Sequence, residues 1–65
     1  MTQKDQIKVM SAGFRILRAD MFRMQIKYKK ESHPDWCVLE NNFKTKKALL
    51  ERMNYLLKAP NVIED

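Results

Sequence analysis

From Phe22 to Lys29 the chain alternates, with Phe22, Met24, Ile26 and Tyr28 on one parity and Arg23, Gln25, Lys27 and Lys29 on the other. Successive side chains of a strand point to opposite faces, so this period of two predicts a strand over 22–30 with one apolar and one basic face. A weaker alternation over 14–19 precedes it, and Asp20 is the turn-favouring residue that joins the two as a β-hairpin. "ESHPDW" breaks the pattern, because Pro34 lacks an N–H and biases His33 away from helix. A turn is expected there, followed by a third strand over 36–42. The first twelve residues are weakly patterned: Ile7 and Val9 offer an extra short N-terminal strand, but Ser11, Ala12 and Gly13 interrupt it, and 1–12 reads as a partly ordered lead-in.

The period then lengthens. Thr45 can cap a helix over 46–59 with Pro60 just beyond, and Leu49, Leu50, Met53, Leu56 and Leu57 fall on one apolar stripe. That stripe needs a surface to cover, and the apolar side of the hairpin supplies it. The expected fold is α+β, a three-stranded antiparallel β-meander packed against one C-terminal α-helix, followed by an acidic tail, 60–65, whose Val62 and Ile63 fold back onto the sheet edge.

This packing fixes the other face of the sheet. With Met24, Ile26 and Tyr28 under the helix, Arg23, Gln25, Lys27 and Lys29 run down the middle of the uncovered side, and Arg15 joins them when Phe14 and Ile16 point inward. The third strand is apolar on both parities. With Trp36 and Val38 outward, an indole stands beside the basic row and suits base stacking. With Cys37 and Leu39 outward, the same face suits a protein partner or a second copy of the chain. The size of Trp36 favours placing it under the helix.

Charge sharpens the picture. The formal net charge is +5, and 15–30 alone holds six basic residues and one acidic, while the remainder balances at seven of each. Any sheet covered on one side shows polar residues on the other, yet no acidic residue interrupts this row. Length makes the chain one small domain, burying about 60% of its unfolded surface, so self-association is a natural supplement. The lone Cys37 forms no intramolecular disulfide and suits a cytoplasmic protein. No apolar run approaches the roughly 20 residues that cross a membrane, and "MTQKDQIKVM" lacks a signal-peptide core.

Catalytic and metal chemistry find little support. His33, Asp35 and Cys37 have no fourth ligand at a usual spacing, and Cys37 with His33 lacks an orienting third group. No enzyme, metal or cofactor is expected. A strand, a short link and then Thr45, Lys46 and Lys47 at a helix start are similar to the second half of double-stranded-RNA-binding domains, in which a Lys-rich helix start meets phosphates. The chain departs from that pattern in having no glycine before Thr45 and no room for a preceding helix. The order of elements also looks like the three-stranded, one-helix DNA-binding modules of some phage and transposon integrases. The leading expectation is a small non-enzymatic module binding DNA or RNA through Arg15, Arg23, Gln25, Lys27 and Lys29, with Lys46 and Lys47 on phosphate. The alternative is a protein-protein interaction module or homodimer joined through the sheet face or edge.

Overall fold

The computed structural model describes residues 2–65, folded as α1 (Gln3–Ser11), β1 (Arg15–Asp20), β2 (Gln25–Lys30), β3 (His33–Glu40), α2 (Lys46–Leu56) and β4 (Val62–Glu64). It is α+β, with a four-stranded mixed sheet in the order β3-β2-β1-β4. The meander β1-β2-β3 is antiparallel, and β4 adds to it parallel to β1, so that Val62 and Ile63 do lie against the sheet edge.

The first correction concerns 3–11, which form a helix and not a lead-in or a strand. Thr2 is its N-cap, its hydroxyl accepting the Asp5 N–H at 3.2 Å, with the Asp5 carboxylate in the first turn, where the helix dipole favours it. At the other end Gly13 N–H donates to Met10 O and Phe14 N–H to Val9 O, the paired bonds of a Schellman stop. That stop requires the positive φ of +95° that Gly13, the chain's only glycine, supplies. A helix therefore does precede the strands.

The two helices take opposite faces. Leu17 and Ile26 on the sheet and Leu49 and Met53 on α2 form the main core, flanked by half-buried Tyr28, Leu39, Phe43 and Val62. Ile16 is fully buried too, but it pairs with Lys29 on the other face, the side on which α1 brings Met10 and Gln6. A strand covered on both faces has no reason to alternate, which is why β1 is apolar at consecutive positions. Ile16 accordingly does not share a face with Ile26, and Arg15 falls on the α2 side.

Hairpin geometry trims the expected elements. Asp20 Oδ1 accepts the N–H groups of Phe22 and Arg23 at 3.2 and 3.1 Å, building a turn over Met21–Met24 that removes Phe22, Arg23 and Met24 from β2. The second turn needs only Glu31 and Ser32, so His33–Asp35 belong to β3, where Pro34 is tolerated because the strand is an edge. β3 makes two register shifts against β2. The shift near Leu39 puts Leu39 in the core while Glu40 reaches Arg52 of α2, with Nε donating at 3.0 and 2.9 Å to the two carboxylate oxygens. α2 ends at Leu56, short of the expected 59, and Leu50 stays 45% exposed, off the buried stripe.

Candidate nucleic-acid interface

The pairings of β3 decide the sequence ambiguity. Cys37 lies opposite Tyr28 on the α2 side, whereas Val38 lies opposite Lys27, so Trp36 and Val38 face away from α2. Trp36 is therefore not packed under the C-terminal helix. The Arg18 guanidinium lies 4.4 Å and the Lys29 ammonium 4.7 Å from the centre of its indole, each close enough for cation–π attraction.

The basic row exists as a face, but its charges are largely answered within the fold. Arg18 pairs with Asp65, Nε donating at 2.8 Å and Nη2 donating to the same oxygen. Asp65 also accepts from the buried Gln6 amide at 2.9 Å, and Gln6 in turn accepts from Lys29 Nζ at 3.0 Å. Lys27 Nζ lies 3.3 Å from Asp20 Oδ2, which also takes the Gln25 amide at 3.4 Å. The expected absence of acids from this face thus holds for β2 alone, because β1 and the tail bring Asp20 and Asp65 onto it.

Both carboxyl groups respond to these surroundings. Burial pushes Asp65 up, but hydrogen bonds from Arg18 and Gln6 together with the Arg18 charge outweigh it, and the group sits below the ordinary carboxylate range. Asp20 is lowered chiefly by the Arg23 N–H, with Lys27 and Gln25 adding to that against a burial effect that opposes it. A carboxyl whose folded pKa lies below its unfolded value stabilises the fold fully above the unfolded value, about 3.9 for Asp, and loses that contribution as pH falls through the folded value. Urea midpoints should therefore hold steady above about pH 5 and fall below about pH 4. An Asp65→Asn variant should be less stable at neutral pH and show a shallower acid loss. An acid slope identical to that of the wild type would show that Asp65 contributes nothing to it.

The remaining predicted residues separate. Arg15 is on the α2 side with its guanidinium 5.6 Å from the Tyr28 ring, so it does not join the row. Arg23 is in the hairpin turn, exposed. Lys46 and Lys47 open α2, whose N-cap Thr45 accepts the Ala48 N–H at 3.1 Å. The link before α2 is tied to the hairpin turn by the Phe43 N–H donating to Met24 O at 3.4 Å. Arg23, Lys44, Lys46 and Lys47 consequently share one end of the molecule, all exposed, and among the described residues none of the four has an ion-pair partner. Phe22, 94% exposed, stands beside Arg23 at that end. Sequence reasoning passed over Lys44, although "FKTKK" carries it in the same run as Lys46 and Lys47, and it read Phe22 only as part of the apolar parity of the second strand.

Among the described residues no group of three or more His, Cys, Asp or Glu side chains is placed to hold a metal ion, and no helix is long and apolar enough to cross a membrane. The Cys37 Sγ donates to Asp35 O at 3.4 Å, and His33 Nδ1 is 3.1 Å from the Ser32 hydroxyl. No family model, curated protein or solved structure matches the chain.

Proposed function

We propose that the chain is a small non-enzymatic module that binds nucleic acid at the end formed by the hairpin turn and the start of α2. The observation that carries this reading is the cluster of Arg23, Lys44, Lys46 and Lys47, exposed and without ion-pair partners among the described residues. With these four set aside, nine basic and eight acidic residues remain, so nearly all of the net charge of +5 belongs to this end. α2 also starts against its own electrostatics, with two lysines and no acidic residue in the first turn, where a helix favours negative charge. A phosphate backbone would supply that negative charge, meeting lysines and helix N–H groups together. Phe22 adds an uncovered ring on which an unpaired base could stack.

Fluorescence titrations of the wild type against duplex DNA, duplex RNA and single strands test the reading. Binding at low salt should fall with a slope of roughly −3 to −4 in log K against log salt, as expected for about four phosphate contacts. Phe22→Ala should weaken single-strand binding about tenfold while barely affecting duplexes. No binding to any of the three at low salt would sink the proposal.

One observation favours a second reading, assembly with a protein or a second copy. β3 is an eight-residue edge strand carrying Val38 at 50% exposure beside Trp36, and an edge offers unpaired backbone groups. Sedimentation at two concentrations separates the readings, because a strand-paired dimer should shift with concentration and a nucleic-acid-binding monomer should not.

A further inference from the structure

The opposite end of the sheet holds the first residue of β1, Arg15, and the last of β2, Lys30. The chain turns back through Pro60 and Asn61 into β4, and Arg15 N–H donates to Asn61 O at 2.8 Å, closing the far wall. The result is a cleft of about 670 Å³ between this return, the corner after α1 and the β2–β3 turn. Its volume falls within the roughly 300–1,000 Å³ of small-ligand sites.

The lining has two chemistries. Met10, Phe14 and Val62 give it apolar wall, while Arg15, Lys30 and Glu31 bring charge. Ile16 pairs with Lys29, so Arg15 and Lys30 end their two strands side by side on the same face. Like charges across a ladder repel, and such a pair is unfavourable unless something negative sits between them. No carboxylate among the described residues forms an ion pair with either, and the Arg15 guanidinium lies against the Tyr28 ring. Within the sheet and against α2, by contrast, Arg18, Lys27 and Arg52 each have a carboxylate. Two cations against the single carboxylate of Glu31 leave the lining net positive beside its apolar wall, which by charge complementarity fits an acidic head on an apolar body.

We infer that this cleft is a binding site for a small anionic amphiphile, with Arg15 and Lys30 holding a carboxylate or phosphate head and Met10, Phe14 and Val62 taking the apolar part. This site lies at the end of the sheet away from the proposed nucleic-acid surface, so each can fail without the other.

Amide-resolved NMR titration of the whole chain tests it, using decanoate and decyl phosphate below their micelle concentrations, with decanol as the uncharged control and inorganic phosphate as the head alone. Both acids should shift the amides of Gly13, Arg15, Lys30 and Asn61 saturably, and the tighter of the two identifies the head group. Decanol and inorganic phosphate should each bind at least about tenfold more weakly, since each lacks one half of the recognition. Lys30→Gln and the double variant Arg15→Gln, Lys30→Gln should lose roughly tenfold or more in affinity while keeping the wild-type amide spectrum away from the cleft. Lys30→Gln leaves every backbone bond in place and decides the matter if the double variant does not fold. Shifts absent with both acids, equal shifts with decanol, or affinity unchanged in Lys30→Gln would each overturn the inference.

Discussion

A Leu49→Ala variant should lose about 2–5 kcal/mol of stability, the usual result of emptying a buried leucine site. Leu49 is fully buried and meets Leu17, Ile26 and Met53, the residues that join α2 to the centre of the sheet. The cavity cannot collapse easily, because two of its walls are strand residues fixed by ladders on both sides. Total stability at about 0.05–0.15 kcal/mol per residue is roughly 3–10 kcal/mol for a chain of this length, so a large share of it depends on this one side chain. A thermal midpoint about 8–40 °C lower follows, at about 4–8 °C per kcal/mol. Leu50→Ala, one residue along and 45% exposed, is the internal control and should cost less than about 1 kcal/mol. Urea melts followed by circular dichroism compare the two directly, and equal losses would show that α2 does not present the face described.

The elements that could be read from the sequence are those whose signals are local. Thr45 and the 3.6-residue spacing of Leu49, Met53, Leu56 and Leu57 announce α2, and the alternation through Ile26 and Tyr28 announces β2 and the face that α2 covers. The signals for α1 were equally present, in Thr2 as cap, Asp5 in the first turn and Gly13 as stop, but Ile7 and Val9 invite a strand reading that the helix overrides. β1 defeated the period-two argument because burial on both faces removes the alternation. β3 defeated it through its register shifts, which no pattern of residue types encodes.

The site divides in the same way. That Gln25, Lys27 and Lys29 share the face away from α2 follows from periodicity. That their charges are spoken for does not, because the partners come from far along the chain: Asp65 reaches Arg18 across 47 residues and Gln6 reaches Lys29 across 23. Net charge counted along the sequence locates the excess at 15–30, whereas folding pairs Arg18 and Lys27 within that stretch and gathers unpaired cations at the hairpin turn and the start of α2. A basic segment and a basic surface are different objects, and only tertiary pairing converts one into the other.

That distinction yields the second large prediction. Lys46→Glu, Lys47→Glu should bind nucleic acid roughly fifty- to a hundredfold more weakly at about 0.1 M salt, two lost phosphate contacts each contributing a factor near eight, with a salt slope shallower by about 2. The same double variant should be slightly more stable than the wild type, because it places two carboxylates in the first turn of α2, each worth about 0.3–1 kcal/mol against the helix dipole. Weaker binding together with a higher melting midpoint cannot come from misfolding. Lys27→Glu, Lys29→Glu should behave in the opposite sense. It sets a carboxylate against Asp20 and removes the ammonium that meets Gln6 and Trp36, so it should lose stability first, with binding falling only as far as the fold does. Anisotropy titrations and thermal melts on both variants give four numbers. If the pattern is reversed, with the β2 variant the weaker binder at full stability, the interface lies on the sheet face and not at the hairpin-turn end.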